Sequence, residues 1–216
     1  MSVRRAVLGL AAVAVLAAAG CGGSSGSGGG SNSGGSKSAV RLGPAFPGIG
    51  QLPGALHGGP PWPPAPKLGA RLKAIGLPQL GQEGTVLHIH QHLDVYVNGR
   101  HVPVPALIGI DETAGFLTTL HTHDDTGIIH VESPTEASYS LGQFFAVWGL
   151  PLSDRCISTL CTGGGKQLKA WVNGVPVTAN PTRIVLASHQ EIVVAYGTAA
   201  QMPKSVPSSY DFPSGL

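Results

Sequence analysis

The chain has 216 residues, and glycine (32) and proline (18) together make up about 23% of them. The share in an average protein is about 12%. This excess excludes a single ordinary globular domain over the whole length. Charged residues are only 11% and the formal net charge is +2, so neither a highly charged disordered chain nor a basic surface that binds nucleic acid is indicated. Histidine is the unusual residue, with nine copies against four tyrosines.

The N-terminus has the pattern of a bacterial export signal. Two arginines lie within the first five residues, and residues 6–19 form an uncharged apolar run that is too short to span a bilayer and fits a signal-peptide core. The tetrapeptide Ala-Ala-Gly-Cys ending at Cys21 resembles a lipobox, whose cysteine receives the lipid. The sequence therefore predicts a signal peptide over residues 1–20, lipidation of Cys21, and a protein anchored on the cell membrane outside the cytoplasm. An ordinary cleaved signal with an incidental cysteine is the alternative, and both general and twin-arginine export stay open.

A long segment of low complexity follows the predicted signal. Residues 22–38 are nearly all glycine and serine, which is typical of a flexible coil. Residues 41–82 are rich in proline and glycine and favour an extended spacer. We therefore expect residues 21–82 to form a lipidated, disordered tether, residues 83–200 to form the folded domain, and residues 201–216 to be a tail.

The folded region is predicted to be mainly β. Residues 86–97 alternate between apolar and polar side chains, as a half-buried strand does, and the Asn-Gly pairs at Asn98 and Asn173 are strong hairpin signals. Ser140 and Gln143 form a capping box before a short apolar helix. The expected fold is therefore mainly β (α+β): antiparallel hairpins in a small sheet or sandwich, with one short helix.

Two further features bear on this fold. Gly115 and the His-x-His at His121 fit the first half of a cupin motif, although the expected glutamate is missing, so a cupin-like barrel is the alternative. Cys156 and Cys161 are the two cysteines that remain after Cys21. In an exported protein such a pair usually forms a disulfide, and a metal or redox pair is the rival interpretation.

The histidines fall mainly into two blocks. The first block, His88, His90 and His92, lies on one face of the predicted strand because side chains two apart share a face. The second block spans residues 120–132 and contains His121, His123 and His130. It is predicted to form a hairpin around residues 124–127, whose register places His121 opposite His130 and His123 opposite Ile128. Directly opposed residues have Cβ atoms about 4.5–5.5 Å apart, close enough for two imidazoles to share an ion.

These residue types indicate one main transition-metal site. Neutral imidazoles with one carboxylate suit Zn(II), Cu(II), Fe(II) or Ni(II), of which we expect Cu(II) or Zn(II), and no methionine lies near either block to favour Cu(I). The ends of the first block are about 13 Å apart along a strand, so that block cannot form a site without the second. We expect binding above about pH 6.5 and release in acid. The predicted ligands are His121, His123, His130 and Glu132, completed by one or two of His88, His90 and His92.

Several strings of this region resemble a family of exported bacterial proteins, many of them lipoproteins. The strings are HLDVYVNG, LHTHDDTGIIHVESP, SLGQFFAVWG and CISTLC. The resemblance implies that both histidine blocks belong to one domain outside the cytoplasm. It implies no activity and no ligand set.

Three functions remain open from the sequence. The first is an extracytoplasmic lipoprotein that binds Cu or Zn, with the membrane and the metal ion as its partners. The second is a metal-dependent enzyme, whose catalytic residues the sequence does not identify. The third is a cell-surface interaction module in which the histidines have no metal role. The sequence points to no particular protein partner and indicates no nucleic acid.

Overall fold

The computed structural model describes residues 40–216. The predicted signal peptide, Cys21 and the glycine/serine tract up to residue 38 lie outside the described residues. No helix within the described part of the chain is both long enough and apolar enough to cross a membrane.

A seven-stranded mixed sheet forms the centre of the fold. Its strands are β1 (Leu87–Val97), β2 (Arg100–Val102), β5 (Leu120–His121), β6 (Ile128–Ser133), β9 (Lys166–Val172), β10 (Val175–Val177) and β11 (Gln190–Thr198). Their order is β10-β9-β11-β1-β6-β5, with β2 also paired to β1. The central strand β1 pairs in parallel with β11 and antiparallel with β6.

Two short hairpins lie outside the main sheet: β3 (Ile110–Asp111) pairs with β4 (Phe116–Leu117), and β7 (Cys156–Ile157) pairs with β8 (Leu160–Cys161). In the second hairpin the two cysteines are directly opposite, and a disulfide joins them. The predicted disulfide is confirmed.

Both predicted Asn-Gly turns are present. Asn98 and Gly99 have φ angles of 52° and 81°, and Asn173 and Gly174 have φ angles of 51° and 75°. Two consecutive positive φ angles are the requirement of a type I′ turn. The first turn joins β1 to β2 and the second joins β9 to β10.

One face of the sheet carries the hydrophobic core. Leu93 and Val95 of β1 are at most 1% exposed and belong to the core cluster. The helix α2 (Leu141–Trp148) contributes Phe144, Phe145 and Trp148 to the same cluster. Its capping box is formed as predicted, because Ser140 accepts from the Gln143 amide while the Gln143 side chain accepts from the Ser140 amide.

The proline-rich segment also packs against this core, in contrast to the expected disordered tether. It contains a helix, α1 (Leu68–Ile75), and Ile49 and Trp62 are buried in the core cluster. Arg71 is 1% exposed, and its guanidinium donates to the main-chain oxygens of Val147 and Pro66. The composition did not indicate that this segment packs against the core, because its apolar residues are widely spaced among prolines. The extended backbone that prolines favour lets the segment follow the core surface.

The mainly β (α+β) class is confirmed, with two differences in detail. The described residues contain two α-helices instead of one, and the β1–β11 pair is parallel. The sheet is open between β10 and β5. The cupin-like barrel is therefore wrong for residues 40–216, because these edge strands do not pair with each other.

Candidate metal centre

The histidine clusters lie on the sheet face opposite the core. On β1 the odd-numbered residues from Leu93 to Val97 enter the core, so the even-numbered residues face the other way. The β1–β6 register places His90 opposite His130 and His88 opposite Glu132. The β5–β6 register places His121 opposite His130, as the sequence predicted. Three neighbouring strands therefore direct imidazoles and one carboxylate to the same region.

The first group contains His121, His123, His130 and Glu132. Each residue offers one potential ligand atom, and these atoms all lie within 4.8 Å of one another. The Nε2 atoms of His121 and His123 are 3.2 Å apart. Two nitrogens bound to one tetrahedral zinc at about 2.0–2.1 Å would be separated by about 3.3 Å. The group therefore has a spacing close to that of a metal site and could hold a metal ion.

His121 is oriented for ligation by the backbone. Its Nδ1–H donates to the carbonyl oxygen of Thr118 at 2.9 Å, which leaves the lone pair of Nε2 directed toward the group. A hydrogen bond of this kind at the second ring nitrogen is the usual way that proteins fix a ligating histidine. The side chain is fully buried, and this burial, together with the nearby His123 and His130, lowers the pKa of His121 to about 4. His121 is therefore neutral at ordinary pH, as a ligand must be.

A second group contains His88, His90 and Glu132, again with ligand atoms within 4.8 Å of one another. His90 is 4% exposed, and its Nε2 has no hydrogen-bond partner. Burial, with smaller contributions from His130 and His88, lowers the pKa of His90 to about 4. A buried polar atom without a partner is costly in a folded protein, and a bound cation would satisfy this one.

Glu132 belongs to both groups. It is 2% exposed and its Oε1 accepts from Nδ1 of His130 at 2.9 Å, whereas its Oε2 has no hydrogen-bond partner. Burial raises the pKa of Glu132, but the hydrogen bond from His130 and the charges of His121 and His130 outweigh it, and the net pKa is lowered. The residue is therefore a carboxylate at neutral pH.

His123 reaches the first group from a loop instead of a strand. Pairing of β5 with β6 stops at His121, so the predicted pairing of His123 with Ile128 is wrong. The cause is Thr122, whose amide donates to the carbonyl of Ile108 and whose hydroxyl donates to the carbonyl of Pro105. These bonds pull the chain away from β6. They leave His123 at the rim of the group with 44% of its side chain exposed.

His92 lies apart from both groups, although the sequence placed it among the candidate ligands. Its Nδ1 is 2.7 Å from Oε2 of Glu191, and its Nε2–H donates to the carbonyl of Thr126 at 2.9 Å. The ring of Tyr210 stacks on it with centroids 3.7 Å apart. Burial lowers the pKa of His92, but the hydrogen bond and the charge of Glu191 outweigh it, and the net pKa is raised. Both ring nitrogens are hydrogen-bonded, and His92 forms a third group with Asp94 and Glu191, whose potential ligand atoms also lie within 4.8 Å of one another.

Sequence reasoning missed three residues near these groups. Glu191 lies at the start of β11, and a single charged residue in a buried, otherwise apolar strand could have indicated a buried polar partner. Glu83 lies with Oε1 3.3 Å from Nε2 of His123, in a segment that the sequence placed at the edge of the domain. Tyr210 lies in the predicted tail, and no local pattern indicated its contact with His92.

An open cavity of about 750 Å³ adjoins the first group at His123. Its walls are proline-rich, with Trp62 and Pro103 among them, and Asp124 and Asp125 complete the lining beside His123. The carboxylate of Asp124 also accepts from the Thr126 amide at 3.0 Å, so it shapes the turn. The cavity gives molecules in solution a route to the exposed side of the histidine group.

Comparisons with protein-family models, curated proteins and solved structures give no match to this chain. The interpretation of the site therefore depends on its geometry and chemistry.

Proposed function

We propose that this protein is a membrane-anchored lipoprotein outside the cytoplasm that binds a transition-metal ion, Cu(II) or Zn(II), through its histidine cluster. The observation that carries the proposal is the first group, in which three imidazoles and the carboxylate of Glu132 have ligand atoms within 4.8 Å of one another. Three imidazoles and a carboxylate form a ligand set suited to either ion.

The electrostatics of the group support the same proposal. His121 is fully buried and carries a pKa lowered to about 4, so it presents a neutral nitrogen without competition from protons above about pH 5. Glu132 is an ionised carboxylate that is 2% exposed. A buried carboxylate beside the neutral imidazole of His121 favours a cation, because the attraction between charges is strong where water is excluded.

Metal analysis of the full chain, prepared without a polyhistidine tag, tests the proposal. We expect Cu(II) or Zn(II) to remain bound through gel filtration, and we expect His121→Ala to lower the affinity at least about 100-fold, since altering even an outer-shell partner costs 10–100-fold. His57→Ala is the matched control, because His57 is exposed and belongs to neither group. Absence of retained metal, or equal affinity in both variants, would overturn the proposal.

The membrane anchor is the second part of the proposal. It depends on the apolar run of residues 6–19 and on Cys21. We expect Cys21→Ser to release the protein into the soluble fraction and to remove the mass of the attached lipid. A variant that stays with the membrane at an unchanged mass would contradict lipidation.

A metal-dependent enzyme is the second candidate function, and the cavity beside His123 favours it. An enzyme needs an open coordination position, whereas a site that only stores or carries the ion does not. Substitution with Co(II) distinguishes the two, since added azide shifts the visible absorption of a centre that has an open position. A spectrum that azide leaves unchanged argues against the enzyme.

A further inference from the structure

A single buried carboxylate, that of Glu132, lies between two sets of imidazoles. The first set is that of the first group, and the second set is His88 and His90. The inference drawn from this arrangement rests on the proposed function. Glu132 directs Oε2 toward Nε2 of His121 at 3.8 Å. Its Oε1 lies 3.4 Å from Nε2 of His88 and 3.8 Å from Nε2 of His90. Oε1 also accepts from Nδ1 of His130 at 2.9 Å, so Oε2 faces His121, whereas Oε1 lies between His130 and the second set of imidazoles.

The second set has one unsatisfied ligand atom of its own. Nε2 of His90 is buried and has no hydrogen-bond partner, although it lies beside Oε1 of Glu132. His88 extends the set to the surface with 47% of its side chain exposed. The first ion cannot account for the vacant His90 nitrogen, because His90 is not in the first group.

The backbone holds the two sets at a fixed separation. His88 is paired with Glu132 and His90 with His130 in the antiparallel β1–β6 ladder. The rings of His90 and His130, one from each set, have centroids 4.6 Å apart. In proteins with two metal ions in one site, the ions lie about 3.5–4 Å apart, and a carboxylate that offers one oxygen to each ion spans such a distance.

We propose that the cluster binds two divalent transition-metal ions bridged by the carboxylate of Glu132. The first ion is bound by His121, His123 and His130, and the second by His88 and His90. Water completes the coordination of the second ion, since only two imidazoles and one carboxylate oxygen face it and His88 is open to solvent. Glu83, 3.3 Å from His123, adds a second negative charge near the pair of cations.

Stoichiometry and magnetic coupling test the proposal in the full chain loaded with Cu(II). We expect two Cu(II) per chain in the wild type and a paramagnetic resonance spectrum with a half-field signal, which two Cu(II) ions within a few ångströms produce. His88→Ala should reduce the content to one ion and abolish the half-field signal. His88 is half exposed, so this change preserves the core, and His90→Gln provides a second variant that should behave in the same way. His57→Ala should keep two ions.

The outcomes separate this inference from the proposed function. One ion per chain in the wild type, unchanged in His88→Ala, overturns the second ion and leaves the first group as a single site. Two ions without magnetic coupling overturn the bridge. No retained ion overturns both the inference and the proposed function.

Discussion

His90 and His92 lie two residues apart on one face of β1, both almost fully buried, yet their surroundings give them opposite properties. His90 faces Glu132, His88 and His130; its Nε2 has no hydrogen-bond partner, and burial lowers its pKa to about 4. His92 is bonded at both nitrogens, by Glu191 and by Thr126, and its pKa is raised. Burial and spacing alone therefore do not identify a ligand; the partners of the ring nitrogens do.

The difference comes from the neighbouring strands. At the start of β1 the neighbour is β6, which supplies one carboxylate for several imidazoles. From Gln91 onward β1 also pairs with β11, whose Glu191 lies directly opposite His92. One carboxylate shared by many histidines leaves nitrogen lone pairs free for a metal, whereas a one-to-one pair satisfies itself.

Metal affinity should separate the two regions most strongly. We expect His130→Ala to weaken Cu(II) or Zn(II) binding at least about 100-fold, because it removes a ligand and the hydrogen bond that holds Glu132. His92→Gln should leave the affinity within about threefold, a change of less than about 0.7 kcal/mol. Competition titration with a chromophoric chelator measures both. A comparable loss of metal affinity in the two variants would contradict the claim that only the region around His90 binds the metal.

Titration of the metal-free protein should separate them next. Histidine side-chain NMR should place His90 and His121 near a pKa of about 4, and His92 above its ordinary value of about 6.5. The two lowered values mean that metal binding persists below the pH 6.5 expected from unperturbed imidazoles. A His92 resonance that titrates below that of His90 would contradict the assignment of charges.

Stability should then depend on His92 in a pH-dependent way. Because its pKa is raised on folding, its stabilising contribution is fully present below about pH 6.5 and is lost as the pH rises through the folded value. We expect His92→Gln to lower the free energy of unfolding by about 1–3 kcal/mol at pH 6, the usual cost of disturbing a buried polar partner. Urea denaturation should give a smaller loss at pH 9. An equal or larger loss at pH 9 would be inconsistent with the charged pair.

The smallest effect should come from Tyr210, which stacks on His92 from the C-terminal segment. Tyr210→Leu, which keeps an apolar side chain but removes the ring, should lower stability by about 1 kcal/mol, the value of an aromatic pair beyond its buried area, and should leave metal binding unchanged. Thermal unfolding of the variant in parallel with metal titration measures both. Loss of metal would mean that the C-terminal segment organises the cluster.

The sequence predicted the parts of the site that follow from local rules. Alternation along β1 placed His88 and His90 on one face, and the turn signal of residues 124–127 set His121 opposite His130. Glu132 followed from its spacing of two from His130. Each of these depends on residues that are close in the chain or joined by one hairpin.

The remaining features depend on contacts between distant residues. Glu191 is hydrogen-bonded to His92 across a separation of 99 residues. The parallel pairing of β1 with β11 brings them together, and no turn sequence predicts that pairing. Arg71 fixes the proline-rich segment by bonding main-chain oxygens, which no side-chain pattern encodes. Thr122 likewise redirects the loop of His123 by donating to the main-chain carbonyls of Ile108 and Pro105, and the sequence does not indicate these bonds.

Locating the metal by anomalous diffraction tests the central claim most directly. Crystals of the Zn(II)-loaded protein, measured on both sides of the zinc absorption edge, should show an anomalous peak about 2.0–2.1 Å from nitrogens of His121, His123 and His130, with Glu132 beside it. A peak found only at His92 or at an exposed residue such as His57, or no peak in this cluster, would contradict the account.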